Sequence, residues 1–225
     1  MKIFNFKGKI KAYVREDTSD EFVVKEVFSG EYNKLNIKNT DVIVDFGLNI
    51  GMFTAYALTR GAKKVYSYEA EKENYTVAEQ NMKLNEFDIS RYVLNNKAVV
   101  ATDQKQIVFW KNNSKNKGAH SLIHKKGRQS VVVDCVNVND VLNEIKPNIV
   151  KMDIEGGEYD CLKAIKSYKG IREFIFEFHH THLDDIGHVK YNEIINLMKE
   201  NFDQVHYREE VKKAWVCVVY CKNND

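Results

Sequence analysis

The sequence has a single proline and no closely paired cysteines. Pro147 is the one proline among 225 residues, and the four cysteines, Cys135, Cys161, Cys217 and Cys221, form no C-x-x-C pair. This cysteine usage indicates neither a zinc site nor a disulfide framework. Pro147 marks the entry to a strand, because proline disfavours helix in the residue before it.

The sequence also lacks a long apolar run and a strong net charge. No stretch approaches the ~18 uncharged apolar residues of a membrane helix, and the N-terminal MKIFNFKGK lacks a signal peptide's apolar centre. We therefore expect a cytoplasmic protein without a membrane span. The net charge of +2 argues against a dedicated nucleic-acid-binding protein. We expect one α/β domain at residues 41–225, preceded by an N-terminal cap at residues 1–40.

The stretch DVIVDFGLNIG, residues 41–51, organises the rest of the chain. An apolar run leads to Asp45, and the chain then turns through Gly47, Asn49 and Gly51 into the helix-compatible MFTAYAL. This pattern predicts a strand, a tight glycine turn and the start of a helix. Such a turn brings backbone N–H groups and the positive end of a helix dipole to the carboxyl edge of a sheet, where ligands bind in open α/β folds.

The residues of this turn favour S-adenosylmethionine over a dinucleotide. A G-x-G-x-x-G fingerprint would need glycine at positions 47, 49 and 52, but Asn49 and Met52 occupy the last two. The pyrophosphate would then meet side chains where it needs bare backbone. An acid before the turn and an amide within it suit a ligand that carries both an ammonium and a carboxylate, as the methionine part of S-adenosylmethionine does.

An acid and an amide on the next two predicted strands complete the candidate cofactor site. Glu69 ends the strand KKVYSYEA, and a right-handed crossover would place its carboxylate beside the turn, within reach of ribose hydroxyls. The alternative is a solvated strand end. The third predicted strand, RYVLNNKAVV, carries Asn96 where an adenine edge could be read, although asparagine is also a common turn residue.

A lysine-rich segment follows, from about residue 101 to residue 130. We interpret it as a basic surface insertion around the short strand QIVFW. Its densest cations are Lys111, Lys115, Lys117, Lys125, Lys126 and Arg128. They are either a mobile lid that attracts an anionic acceptor, such as a nucleotide sugar or a phosphorylated glycan, or simply a solvated loop.

The candidate catalytic residues follow two further strands. NIVKMDI leads to Asp153 and Glu155, and REFIFEF ends at His179. An alcohol acceptor must lose a proton, so we predict His179 as the base because a neutral imidazole is available near pH 7. Glu155 is its orienting partner or a reserve base, and Asp153 is expected on the cofactor side. The alternative is that His179 only caps its strand and packs on His180. Glu158 is expected as an acid in the first turn of the following helix, where the helix dipole favours it.

The histidine-rich run HHTH does not amount to a metal site. His180 and His182 alternate onto one side, with Asp184 and Asp185 nearby. Two ligands on a loop are too few, so surface histidines are the favoured interpretation. We predict no metal site from the sequence.

Several of these motifs together resemble the FkbM-type S-adenosylmethionine-dependent methyltransferases. They are EVFSGEY, DFGLNIG, YEA, NMKLN, HSL and KMDIEGGEYDCL, and they run from about Glu26 to Ala164. The resemblance implies the class I, Rossmann-like α/β fold, with helices on both faces of a seven-stranded, mostly parallel sheet whose last strand is antiparallel. It also implies methyl transfer, usually to a hydroxyl of a sugar, glycan or polyketide-like small molecule.

The resemblance carries over to particular residues of this chain. Those matching the cofactor site are Asp45, Gly47, Asn49, Gly51 and Glu69, and those matching the post-strand motif are Asp153, Glu155 and Glu158. An RNA methyltransferase is one alternative, disfavoured by the near-neutral charge and the absence of an N-P-P-Y-type motif. A non-catalytic scaffold is another, disfavoured because the acids of both motifs are present.

Overall fold

The computed structural model of the protein describes residues 1–111, 129–179, 185–207 and 216–224, with residues 185–188 described by their backbone alone. No helix within these ranges is long and apolar enough to cross a membrane.

The described residues form twelve strands and six α-helices. The strands are β1 (Lys2–Phe6), β2 (Ile10–Val14), β3 (Val42–Phe46), β4 (Lys64–Tyr68), β5 (Tyr92–Asn95), β6 (Ala98–Val100), β7 (Gln106–Lys111), β8 (Gln129–Asn137), β9 (Ile149–Met152), β10 (Glu173–His179), β11 (Gln204–His206) and β12 (Val216–Lys222). The α-helices are α1 (Asp20–Glu26), α2 (Met52–Thr59), α3 (Lys72–Leu84), α4 (Val138–Ile145), α5 (Glu158–Ala164) and α6 (Asp185–Asn201). A π-helical turn, Val27–Glu31, extends α1, and a 3-10 turn, Ile89–Arg91, precedes β5.

Seven of the strands form the central sheet, in the order β11-β12-β10-β9-β3-β4-β5. β9, β3, β4 and β5 run parallel to one another and to β10. β12 pairs antiparallel with both of its neighbours. The predicted sheet, mostly parallel with an antiparallel last strand, is therefore confirmed.

Two apolar clusters cover the two faces of this sheet. Successive side chains of β10 point to opposite faces of the sheet, so they alternate between the two clusters. Phe174, Phe176 and Phe178 belong to one cluster and Ile175 to the other. The first cluster contains residues of α4, α5 and α6. The second contains residues of α2, α3 and the N-terminal cap. Helices on both faces, as predicted, bury the parallel strands from both sides.

The predicted third strand is wrong in one respect, because the chain leaves the central sheet within it. β5 ends at Asn95, and β6 belongs to a separate three-stranded sheet of order β6-β8-β7. β7 and β8, from either side of the lysine-rich segment, pair antiparallel in this small sheet. A run of apolar residues cannot show that a chain changes sheets, because both strands are made mostly of apolar residues. Residues 112–128 of the predicted insertion lie outside the described residues.

A charged clamp joins the amino ends of two central strands. The Arg172 guanidinium donates from Nη1 and Nη2 to the two carboxylate oxygens of Asp41, each at 2.8 Å, and from Nη2 to the Asn36 carbonyl at 2.7 Å. Asp41 is 1% exposed and also accepts from the Lys38 N–H at 2.7 Å. The clamp thus ties the start of β3 to the start of β10, across the intervening β9.

Replacing Asp41 with asparagine tests the clamp. The change leaves Arg172 without its bidentate carboxylate, so we expect the free energy of unfolding to fall by about 2–4 kcal/mol, measured by urea denaturation. Glu21→Gln is the control, since its pair with Lys2 is well exposed and its loss should leave the denaturation midpoint nearly unchanged. Equal midpoints for the two variants would contradict the clamp.

Candidate active site

The predicted glycine turn lies at the carboxyl edge of the central sheet, between β3 and α2. Gly47, Asn49 and Gly51 all have left-handed φ angles, of 91°, 52° and 87°. Gly47 has a second constraint, because a Cβ built on it would lie 1.7 Å from the Asp153 carbonyl oxygen. Only glycine therefore lets β3 pass so close to the end of β9.

The backbone N–H groups at the start of the turn are already occupied within the protein. Those of Gly47 and Leu48 both donate to the Tyr68 carbonyl, at 3.0 and 2.9 Å. That of Asn49 donates to Glu69 Oε2 at 2.8 Å. A phosphate-binding turn needs such N–H groups free, so this arrangement does not suit a dinucleotide pyrophosphate.

Glu69 lies beside the turn, where the crossover argument placed it. Its Oε1 accepts from the Glu71 N–H at 2.8 Å, while its Oε2 accepts from Asn49. Burial raises the pKa of Glu69 to about 7, although the two backbone hydrogen bonds favour the charged form. Each carboxylate oxygen keeps a second lone pair for a ligand hydroxyl.

Asn96 holds the backbone beside Glu69. Its side-chain amide donates to the carbonyls of Glu69 and Ala70, at 2.8 and 3.3 Å. The geometry therefore shows Asn96 positioning the strand end, and its predicted contact with a cofactor stays a prediction.

Asp45 and Lys151 form a buried pair beneath the turn. Asp45 is 0% exposed, with Oδ2 accepting from Thr54 Oγ1 at 2.9 Å and Oδ1 lying 3.3 Å from Lys151 Nζ. Lys151 Nζ donates to the Gly47 carbonyl at 2.6 Å. Burial disfavours the charged form of Lys151, but the nearby acids Asp45, Asp153 and Glu177 together raise the pKa of this lysine. Asp45 thus supports the turn from below, and its predicted contact with a cofactor stays a prediction.

A cavity opens above the turn, lined by both polar and apolar side chains. Its empty space, counted together with the solvent at its mouth, is about 560 Å³. The polar lining includes Asn49, Glu69, Asp153 and Glu155, and the apolar lining includes Tyr68, Val99 and Phe109. The sequence did not indicate Phe109, which is 4% exposed and comes from the predicted surface insertion.

The three candidate catalytic side chains do come together. His179 Nε2 lies 3.3 Å from Glu155 Oε2 and 3.9 Å from Asp153 Oδ1. His179 Nδ1 lies 3.0 Å from Oε1 of Glu158, which is 1% exposed and also accepts from the Ile154 N–H at 2.9 Å. Glu158 is thus in the first turn of α5, as expected, and also orients His179.

The charge on His179 corrects the prediction of a neutral base. Burial works against the imidazolium, but the hydrogen bond and charge of Glu158 outweigh it, with Asp153 and Glu155 adding to the effect. They raise the pKa of His179 to about 10, so the ring carries its proton at neutral pH. The expectation of an available neutral imidazole is therefore wrong.

Further acids, which sequence reasoning missed, surround this group. Asp153 and burial raise the pKa of Glu177 to about 9, and Glu177 hydrogen-bonds to Glu31 of the π-helical turn. Burial, with Glu31 and Asp153, also raises the pKa of Glu26 to about 7. One sequence signal could have found Glu177: it is an acid at an alternate position of the apolar strand REFIFEFH, on the same face as His179.

Some predicted side chains are paired elsewhere or lie outside the described residues. Lys111 Nζ forms ion pairs with Glu71 at 2.7 Å and Glu73 at 3.1 Å. The other cations of the predicted lid and the acids and histidines of the HHTH region lie outside the described side chains: Lys115, Lys117, Lys125, Lys126, Arg128, His180, His182, Asp184 and Asp185.

The fold and this edge of the sheet define a class I methyltransferase. Their features are the strand order with its single antiparallel strand, the glycine turn after β3 and the acid after β4. The chain belongs to the FkbM methyltransferase family, because the family model described as the methyltransferase FkbM domain matches residues 45–206. The predicted family is thus confirmed.

Individual relatives are distant. Methyltransferase sdnD of Sordaria araneosa is 23% identical over 189 residues, which are 70% of this chain and 73% of that protein. The structure of precorrin 8W decarboxylase from Methanobacterium thermoautotrophicum is similar, with a TM-score of 0.49 and 15% identity, over 87% of this chain and 89% of that chain. For ribosomal protein L11 methylase from Lactobacillus delbrueckii subsp. bulgaricus the TM-score is 0.48 and the identity 13%, over 90% of this chain and 80% of that chain.

Two alanine substitutions separate close packing at Gly47 from backbone strain. Gly61 has a φ of 95°, close to that of Gly47, but a Cβ there would meet nothing within 4 Å. Gly61→Ala should cost about 1–2 kcal/mol of unfolding free energy from left-handed strain alone. Gly47→Ala should cost about 1–3 kcal/mol more than Gly61→Ala does, because its Cβ would also clash with the Asp153 carbonyl. Urea denaturation of both variants measures the difference, and equal costs would refute the close approach.

Proposed function

We propose that the protein is an S-adenosylmethionine-dependent O-methyltransferase that methylates a hydroxyl of a sugar, glycan or other small molecule. Its membership of the FkbM methyltransferase family supports methyl transfer. The single observation that carries the choice of cofactor is the turn itself. Its leading N–H groups bind Tyr68 and Glu69 rather than standing free for phosphate, and Glu69 borders the cavity.

The residues of the cavity fit the parts of this cofactor. Glu69 would accept the ribose hydroxyls, since its oxygens keep lone pairs toward the cavity. Val99 and Phe109 belong to the apolar lining, which is suited to the adenine ring. Asn49 and Asp153, in the polar lining, would hold the methionine part. The cofactor supplies an electrophilic methyl group on a sulfonium, and the cavity's acids complement that positive charge.

The protein's own contribution is to align the acceptor and take its proton. We assign the proton-accepting role to Glu155, the reserve base of the sequence prediction, because the His179 ring is already protonated. Glu155 has a φ of 57°, a strained conformation for a non-glycine residue, and borders the cavity. His179, 3.3 Å from Glu155 Oε2, orients that carboxylate. Asp153 stays on the cofactor side of the pair.

The described charges favour a neutral acceptor over an anionic one. Asp153 and Glu155 border the cavity, and an anionic group beside them would meet like charge. Lys105 and Lys111 are the described cations of the insertion; Lys111 is paired with acids of α3 and its N-cap, and neither lysine lines the cavity. A cytoplasmic location belongs to the same proposal, in keeping with the four buried free thiols, Cys135, Cys161, Cys217 and Cys221.

Titration calorimetry and a methyl-transfer assay test the function. We expect S-adenosylmethionine and its demethylated product to bind at least tenfold more tightly than NAD. Radiolabelled methyl groups should pass to a member of a sugar and glycan panel rather than to RNA, which serves as the competing acceptor class. Glu155→Gln should lower kcat by roughly 10²-fold with cofactor affinity unchanged. Tighter binding of NAD, or transfer to RNA alone, would refute the proposal.

The raised pKa of Glu69 predicts pH-dependent cofactor binding. Ribose hydroxyls donate hydrogen bonds and so favour the ionised carboxylate, whereas the free protein holds the proton below pH of about 7. Cofactor affinity should therefore rise by about tenfold from pH 6 to pH 8, with release of a proton on binding. Glu69→Gln keeps the shape but removes the titration, so its affinity should be lower and independent of pH. A wild-type affinity that is flat over this range would show that Glu69 does not bind the ribose.

A further inference from the structure

Two carboxylates and one imidazole lie close together where β9 and β10 end. Asp153, Glu177 and His179 each offer one ligand atom, and these atoms all lie within 4.8 Å of one another. The pairing register explains the meeting, because Phe176 stands opposite Met152 and so brings Glu177 level with Asp153. His179, two residues further along β10, shares the face of Glu177.

The imidazole is held as metal-binding histidines are held. Its Nδ1 lies 3.0 Å from Oε1 of the buried Glu158, which is itself fixed by the N–H groups of Ile154 and Gly156, at 2.9 Å each. A carboxylate fixed by N–H donors can only accept, so Nδ1 is the donor and Nε2 is the atom turned toward Asp153. A carboxylate behind a histidine in this way fixes the ring orientation that a metal ion requires, and a bound ion would displace the proton that His179 carries on Nε2.

One oxygen of the group lacks a partner. Asp153 Oδ1 is buried and has no hydrogen-bond partner among the described residues, whereas Oδ2 of the same carboxylate lies 3.8 Å from Lys151 Nζ. The unpartnered oxygen faces His179 Nε2 at 3.9 Å. A buried carboxylate oxygen without a donor is costly, and a cation between it and the imidazole would satisfy it.

We propose that Asp153, Glu177 and His179 bind one divalent transition-metal ion of the Mn²⁺, Fe²⁺ or Zn²⁺ type. One imidazole and two carboxylates suit these ions, whereas Ca²⁺ and Mg²⁺ prefer all-oxygen sites. Ligand atoms about 2.1 Å from an ion are about 3.0–3.4 Å apart, so the three must close by roughly an ångström. Side-chain rotation alone can do this, because the strand register already fixes the backbone.

The ion would lie on the acceptor side of the cofactor turn. Asp153 is shared by the two sites, since its carbonyl contacts Gly47 and its carboxylate faces His179. A bound ion there would coordinate the acceptor hydroxyl and lower its pKa, leaving its proton to Glu155. This use of the ion rests on the proposed function, whereas the binding of the ion does not.

Mn²⁺ binding to the full chain, measured without cofactor by calorimetry and electron paramagnetic resonance, tests the site. We expect one Mn²⁺ per chain, with nitrogen coupling from one imidazole in the pulsed spectrum. Asp153→Asn and Glu177→Gln should each weaken binding at least tenfold, and Glu158→Gln by about 10–100-fold as a supporting residue. Glu144→Gln, an exposed acid on α4, is the matched control and should bind as the wild type does.

Three outcomes would overturn the site. They are no Mn²⁺ binding at millimolar concentration, equal affinity in wild type and Glu177→Gln, or nitrogen coupling that persists in His179→Gln. Circular dichroism and urea denaturation of each variant confirm that it is folded, so weaker binding reports a lost ligand. Because no cofactor or acceptor is present, failure of methyl transfer has no bearing on this result, and the two proposals fail separately.

Discussion

The candidate site depends on one buried ammonium group. Lys151 Nζ donates to the Gly47 carbonyl at 2.6 Å, lies 3.3 Å from Asp45 and 3.8 Å from Asp153, and is almost entirely shielded from water. A lone buried charge would be very costly, and so would the buried Asp45 carboxylate without it. Their pairing lets β3 and β9 end side by side with a glycine turn between them.

The central sheet and about half of the candidate site can be predicted from local sequence signals. The glycine turn, the acid Glu69 and the strand ends at Asp153 and His179 are all marked by short patterns, and parallel strands necessarily bring such ends to one edge. The family motifs add the antiparallel last strand, which periodicity cannot supply. These features are predictable because each depends on residues that are close in sequence.

What the sequence did not reveal depends on contacts between distant residues. The exit of the chain from the central sheet after Asn95 depends on pairing of β6 with β8, more than thirty residues later. Phe109 reaches the cavity only through that second sheet. The protonated state of His179 results from three acids on a different segment, and its ordinary pKa says nothing about them. Sequence patterns report which residues are apolar or acidic, but the charge of a group is set by its neighbours in space.

The contacts of Glu158 imply an unequal tolerance to sequence change. Glu158 binds two backbone N–H groups and the His179 ring, whereas His179 relies on Glu158 for its orientation. Loss of His179 leaves the bend before α5 intact, with its carboxylate still held by two donors. Loss of Glu158 leaves both N–H groups without an acceptor and also removes the hydrogen bond that orients the imidazole. Among descendants of this chain, position 158 should therefore vary less than position 179, and a change at 158 should be followed by a change at 179.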